Sequence, residues 1–370
     1  MRCERIQGLK NPTSLGTPAA SELRNDTDKK SWKKIVVFRT DRLGDLVLSL
    51  PVVEALKAFL PEAQVDLFVS PYAVPVARLQ RNASAIIADR YPGLPGLFAL
   101  ARFLRSQQYD LAVHLFPVPR LALAAFLARV PVRAGTLYRY FSPLFNRRIR
   151  LHRKKAGMHE RDLNLKLLEG VGVPIGQVAA GLEIPDRLRK EVAALLAAKG
   201  IDASREGFLV LHPGSGGSSL NWPPEHFGSL GREMRKRGIP VVLTGSGRDR
   251  PVVDRVRSCM DAGGTDLCGE LDLEQLAALL SSASLVVTNS TGPLHLADAL
   301  GTKVIGIFSP YLSAGPHRWG PYGQPENVFV PDGELCPRCT RDRCERHNCL
   351  ETIRPEAVLQ RALELLAPAR

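Results

Sequence analysis

The sequence predicts an α/β protein made of two doubly wound parallel-sheet domains facing a cleft, and three observations carry the prediction. The chain has 370 residues, more than one hydrophobic core usually serves. In both halves, short apolar runs rich in β-branched residues alternate with helical stretches, which suits strands buried on both faces of a parallel sheet. Between the two series lies the Gly/Pro/Ala segment GVGVPIGQVAAGLEIP (170–185), which reads as a linker. An apolar content of 45% with 24% charged residues argues against wholesale disorder.

Residues 1–31 mix Asn, Thr, Ser, Pro, Gly and charges without any period, so a flexible N-terminal extension is expected there. They lack the apolar stretch of a secretory signal, and no window reaches the run of about 18 apolar residues that a membrane span needs. An intracellular location is the expectation. The first domain, 32–180, takes its strands from KIVVFR (34–39), QVDLFV (64–69), SAIIAD (84–89) and YDLAVHL (109–115). After the first strand, Leu46, Leu50, Val53, Leu56 and Leu60 recur at helical spacing, so Pro51 must sit in an early turn or kink the helix. The second domain, 181–352, opens with a helix whose apolar face is Leu188, Val192, Leu195 and Leu196. Its strands come from GFLVLHP (207–213), IPVVLTG (239–245), SLVVTN (284–289) and KVIGIF (303–308). A last helix, RPEAVLQRALELLA, falls in the closing segment 353–370 and has to dock somewhere, with a return across the cleft one option.

Charge is unevenly spread. Residues 1–180 hold 28 Lys/Arg against 14 Asp/Glu, whereas the rest of the chain holds 22 against 23. Within the first half, RAGTLYRYFSPLFNRRIRLHRKK (133–155) carries eight Lys/Arg and no acid. Such a stretch attracts phosphates, anionic sugars or an acidic membrane face, unless it is only a solvated basic loop.

In open α/β sheets, ligands bind outside the carboxyl ends of the strands, so the strand-to-helix loops are where chemistry belongs. Four of them are unusual. In RTDRLGD (39–45), Gly44 permits a tight turn and Asp45 falls at a helix N-terminus, as an N-cap or as a carboxylate base facing the cleft. LHPGSGGSSLNWPPEHF (211–227) offers Ser215, Gly216 and Ser218 as a phosphate cradle, although it matches neither the Walker nor the dinucleotide fingerprint. LTGSGRDR (243–250) supplies Gly245 and Asp249, the latter a ligand for a ribose diol or a helix cap. VVTNSTGPLHLADALG (286–301) places Ser290, Thr291, Gly292 and His295 where a helix begins, a setting that favours an anion.

Taken in order, RTDRLGD, HPGSGGxxxxWP, LTGSGxDR, NSTGPLH and RWGPYG (318–323) resemble bacterial glycosyltransferase family nine, the ADP-heptose:lipopolysaccharide heptosyltransferases and their relatives. The agreement runs from about residue 34 to 360. It implies a GT-B fold, with two Rossmann-like domains, the acceptor bound by the first and the nucleotide-sugar by the second. It also implies an inverting transfer that needs no catalytic metal, with Asp45 as base. The helix start at 291–295 and the loop at 215–218 would stabilise the leaving diphosphate. Arg39 and Arg42, or the basic stretch with Arg147 and Arg148, would hold an anionic lipid-linked glycan. The enzyme would visit the cytoplasmic face of the inner membrane by charge alone.

Two positions depart from the heptosyltransferases proper. Leu220 stands where they carry a lysine two residues before Trp-Pro, and Ser290 where an aspartate usually precedes Thr-Gly. Both touch the donor site, so a different donor, or Arg248 or Arg318 as the neutralising cation, is an open expectation. A non-catalytic nucleotide-sugar or glycan-binding member is the alternative reading. Cys336, Cys339, Cys344, His347 and Cys349 cluster in CPRCTRDRCERHNC, the spacing of a structural zinc site or of a reduced thiol-rich loop. The basic excess is remote from this cluster, so nucleic acid is not an expected partner.

Overall fold

A computed structural model describes residues 32–153, 156–203, 206–217, 219–261, 263–310, 314–331 and 348–367. The expected extension, 1–31, lies outside them. The first lobe contains β1 (Lys34–Arg39), α1 (Leu43–Val47), α2 (Pro51–Phe59), β2 (Gln64–Val69), α3 (Val74–Ala77) and β3 (Ala85–Ala88). It continues through α4 (Gly93–Gln107), β4 (Leu111–His114), α5 (Pro119–Leu127), β5 (Val132–Thr136), β6 (Arg147–Ile149) and α6 (Glu160–Glu169). Its six strands are all parallel, in the order β3-β2-β1-β4-β5-β6. The sheet is buried on both faces. Ile35 and Val37 point to α2 and α6, while Val36 and Phe38 point to α4 and α5. That is why the strand runs are continuously apolar. The expected first helix is split, because α1 ends before a turn at 48–50 and Pro51 opens α2.

The second lobe repeats the plan with α7 (Asp186–Ala198), β7 (Leu209–His212), α8 (Pro224–Lys236), β8 (Val241–Leu243), α9 (Arg250–Ser258) and β9 (Thr265–Asp266). Then come α10 (Leu273–Ser282), β10 (Leu285–Asn289), α11 (Gly292–Ala299), β11 (Val304–Ile307), α12 (Pro316–Trp319), β12 (Val328–Phe329) and α13 (Pro355–Leu366). The parallel order is β12-β11-β10-β7-β8-β9, so the switch point falls between β7 and β10, as it falls between β1 and β4 in the first lobe. The closing helix does not cross the cleft. Val358 and Ala362 of α13 pack on α8 of the second lobe, and the buried Trp222 donates its indole N–H to the Ile353 carbonyl at 2.8 Å.

The lobes meet along a seam with a shared core. Leu43 and Val47 of α1, with Val76 and Leu79, join the apolar cluster formed by α7, α10 and α11. Two glycines set the closeness of approach. A Cβ on Gly44 would lie 2.6 Å from Cδ2 of the His295 ring, and one on Gly292 would lie 3.1 Å from Leu43. Gly44 therefore answers a steric demand from the other lobe. The tight-turn expectation is corrected, because Gly44 is absent from the positive-φ positions of the chain. A side-chain methyl at 44 needs about 1 Å more room to reach ordinary carbon–carbon separation. Gly44→Ala should thus destabilise the protein by about 1–3 kcal/mol, the usual cost of overpacking, read from the urea midpoint of unfolding. An unchanged midpoint would mean that the α1–α11 seam is not closed in solution.

Candidate active site

At the carboxyl ends of β7, β8 and β10, where α1 faces α11, lies a cavity of about 480 Å³. Its walls divide by chemistry. Leu267, Leu271, Leu273 and Leu276 form an apolar side suited to a planar base. The turn at Gly214, Ser215 and Gly216 and the start of α11 at Thr291 and Gly292 offer backbone amides and hydroxyls. Gly216 needs its glycine, since its φ is +54°. Arg248 of the second lobe and Arg42 of the first add two exposed cations.

A buried hydrogen-bond chain fixes this wall. The His212 ring Nδ1 meets the Thr244 hydroxyl at 2.9 Å, and the Thr288 hydroxyl donates to the His212 carbonyl at 2.9 Å and lies 3.2 Å from that of Thr291. Burial pushes the His212 imidazole down to about 4, so it is neutral at physiological pH. Asn289 ties the next loop down, donating to the Pro213 carbonyl at 2.7 Å and accepting from the Trp222 amide at 2.8 Å. Asp249 lines the cavity but is committed to structure: its Oδ2 accepts from the Ser246 amide and hydroxyl at 2.9 and 2.6 Å. Gly214 is a glycine because a Cβ there would strike the Asp249 carboxyl group.

Asp45 sits on the first-lobe side of the seam, next to Gly44, and like His295 and Ser290 it is not among the residues that line the cavity. It is no N-cap. That position belongs to Arg42, and the Asp45 carboxylate turns to the Arg39 guanidinium, Nη2 to Oδ1 at 2.6 Å. Asp45 keeps 18% of its side chain exposed. Arg39 is buried and also pairs with Asp41 through Nε at 2.7 Å, with Glu160 at 3.3 Å and with Asn164 at 3.1 Å. Burial opposes its charge, yet Asp41, Asp45 and Glu160 together hold the guanidinium above its ordinary value. Burial pushes Asp41 up to about 7, against the pull of Arg39 and with help from Asp45. Glu160 moves the other way: burial is outweighed by Arg153, Arg39 and Arg318, which keep it below the usual carboxylate range.

Ser215, Gly216, Gly245, Asp249, Thr291 and Gly292 gather round the cavity with Arg42. Arg39 does not serve as a surface contact for an acceptor, because its burial and its three carboxylate partners leave no face for one. His295 is buried against Gly44 and does not line the cavity; burial and the nearby His159 push its imidazole down to about 3. Ser290 also stands outside the lining, its amide donating to the Ile307 carbonyl at 3.0 Å. Arg147 and Arg148 are exposed on the edge strand β6, away from the cavity wall. Leu220 packs against the second-lobe core, and Arg318 pairs with Glu160 instead of facing a diphosphate. Ser218 lies outside the described residues, as do Cys336, Cys339, Cys344 and His347. Among the described residues, no His, Cys, Asp and Glu side chains group as metal ligands, and no helix is long and apolar enough to cross a membrane. The reading of the sequence missed His212, Thr244 and Tyr72 and the four leucines of the apolar wall. His212 and Thr244 had a signal, as the last residues of β-runs that enter glycine loops.

Comparison with known proteins agrees with this geometry. The family model described as glycosyltransferase family 9 (heptosyltransferase) matches residues 97–349. The chain is 26% identical over 302 residues to the lipopolysaccharide core heptosyltransferase OpsX of Haemophilus influenzae, covering 80% of this chain and 84% of that protein. Among solved structures, a family 9 glycosyl transferase from Veillonella parvula superposes with a TM-score of 0.80 at 23% identity, covering 91% of this chain and 98% of that one. The ADP-heptose lipopolysaccharide heptosyltransferase II of E. coli gives 0.74 at 22% identity, covering 90% and 98%. With its two parallel-sheet lobes in the GT-B arrangement, the chain belongs to glycosyltransferase family 9 and is a glycosyltransferase.

Proposed function

We propose that this enzyme moves a heptose or related sugar from a nucleotide-diphosphate donor to a hydroxyl of a lipopolysaccharide core or similar anionic, lipid-linked glycan. The transfer inverts the anomeric centre and uses Asp45 as its base. The observation that supports this reading is the packing of α1, the helix that bears Asp45, on the start of α11 of the second lobe, through the Gly44–His295 and Leu43–Gly292 contacts.

The apolar wall takes the base of the nucleotide, and the diphosphate lies against the Ser215–Gly216 turn and the start of α11. As the glycosidic bond breaks, negative charge gathers on the departing phosphate, where the fixed amides, Arg248 and Arg42 answer it. This arrangement supplies the countercharge from the protein itself, in keeping with a transfer that needs no catalytic metal. Arg248 takes the part of the cation that Leu220 does not provide. The name of the E. coli relative, an ADP-heptose transferase, makes ADP-heptose the first donor to test. Arg39 holds Oδ1 of Asp45, and no described residue donates to Oδ2, which is left to accept the proton of the attacking hydroxyl.

The acceptor is drawn to the first lobe by its excess of arginine and lysine. Exposed aromatic side chains at Tyr72, Tyr138 and Tyr140 follow β2 and β5 at the cleft end of the sheet, where a glycan emerging from a bilayer would meet them. We place the working enzyme at the cytoplasmic face of the inner membrane on this ground.

Incubation of the purified enzyme with ADP-heptose and a truncated lipopolysaccharide acceptor should yield a product of inverted anomeric configuration by NMR; retained configuration would refute the proposal. Asp45→Asn should lower the transfer rate by about 10²–10⁴-fold while ADP affinity stays near the wild-type value. Undiminished turnover would remove Asp45 from the chemistry. Arg248→Ala removes one charge-assisted hydrogen bond to phosphate and should raise the donor KM by about tenfold or more, with little change in the acceptor KM. An equal change in both would place Arg248 elsewhere than at the donor.

A further inference from the structure

We propose that Arg318, supplied by the second lobe, is a positioning residue for Asp45 of the first lobe, acting through Glu160 and Arg39, so that the base is charge-balanced only when the lobes are closed. The proposal rests on the assignment of Asp45 as base.

The path is short and buried. Arg318 donates to Oε2 of Glu160 from Nη2 at 2.8 Å and from Nε at 3.2 Å. The other carboxylate oxygen, Oε1, takes both terminal nitrogens of Arg39 at 3.3 Å and is also bonded to Arg153. Arg39 in turn grips Asp45 at 2.6 Å. The side chains of Arg39 and Glu160 are 1% and 2% exposed, and that of Arg318 17%, so water screens these pairs poorly. The segment bearing Arg318 is seated on the start of α6 by two more contacts: His159 Nε2 lies 3.0 Å from the Gly320 carbonyl, and the Arg161 guanidinium stacks 3.7 Å from the Tyr322 ring centre. All three contacts form between lobes, and all three break if the lobes part.

The charges explain why this matters for the base. Arg39, Arg153 and Arg318 face Asp41, Asp45 and Glu160, three cations against three carboxylates. Withdrawing Arg318 leaves two against three in a buried site, and an uncompensated buried charge is relieved most readily by protonation. Asp41 is already pushed up to about 7 by burial, so the cluster has little charge to spare once a cation leaves. The remaining groups facing the cluster do not supply the missing charge. Arg42 is exposed at the cavity, Asp162 is acidic, and the Tyr72 phenol is raised by burial. His159 and His295 are both held below their ordinary value by burial and stay neutral. When the lobes part, Glu160 loses Arg318 and leans on Arg39 and Arg153 alone, so the hold of Arg39 on Asp45 is no longer balanced; closure over the donor restores it.

The test is the pH dependence of kcat at saturating donor and acceptor for the full-length enzyme and three variants. Arg318→Gln should move the acidic limb upward by about one pH unit, and so lower kcat about tenfold below the limb, while ADP affinity by calorimetry changes less than about twofold. Arg318→Lys keeps the charge and should restore the limb. Glu160→Gln removes a negative charge from the same cluster and should move the limb downward, which keeps the proposal open to refutation if Arg318→Gln folds poorly. An unmoved limb in Arg318→Gln and Glu160→Gln, or Arg318→Lys as impaired as Arg318→Gln, would reduce the bridge to a structural tie and overturn the proposal. Full turnover by Asp45→Asn would instead overturn the base assignment, whatever Arg318 does.

Discussion

The constraint on which the rest depends is the burial of a guanidinium, Arg39, at the end of the central strand of the first sheet. An arginine taken out of water is tolerable only if its charge and its donors are met, and breaking such a pair costs about 3–5 kcal/mol. Arg39 meets that demand with Asp41 and Asp45 from the loop and helix after its own strand, and with Glu160 and Asn164 from α6. The strand, α1 and α6 are thereby locked in one arrangement. Asn164 extends the lock, donating to the Leu48 carbonyl and the Ser49 hydroxyl. The position of Asp45 is a consequence of this network more than of the loop that carries it.

The second condition is steric. Two glycines, one at the start of each facing helix, let α1 and α11 pack nearly in contact, so that Leu43 and Gly44 of one lobe and Thr291 and Gly292 of the other line one cavity. On the proposed function, donor binding and acceptor activation would each need the lobes closed, which suits an enzyme that must keep water from its activated sugar. The apolar wall, the amides of the Ser215 turn and the α11 terminus all belong to the second lobe, whereas Arg42 reaches over from the first.

Much of this fold was legible in the sequence, for a physical reason. Strands such as β1 and β10 are buried on both faces, and their unbroken apolar runs announce it. β5 and β6 were not visible, because β5 (VRAGT) interrupts its apolar residues with Arg133 and Gly135, and a short edge strand with exposed Arg147 and Arg148 has no apolar signature. β9 and β12 are two residues each and gain their pairing from neighbours alone. At the site, local chemistry marked the residues of the glycine loops and of the α11 start. It misjudged Arg39 and His295, since what buries them lies far away in the chain: Glu160 and Asn164 for the first, Gly44 for the second. The purpose of Gly44 was equally hidden. A glycine in a loop suggests backbone freedom, and only the opposing ring of His295 shows that the missing side chain is what counts.

The central claim is that one carboxylate and one helix terminus, from opposite lobes, act on the two sides of the same glycosyl centre. The most direct measurement is a crystal structure of the enzyme with a non-transferable ADP-sugar and its acceptor. The account predicts the acceptor hydroxyl within about 3 Å of Asp45 Oδ2 and the diphosphate against the amides at Thr291 and Gly292. An acceptor oxygen facing some other base, or phosphates bound away from α11, would contradict it.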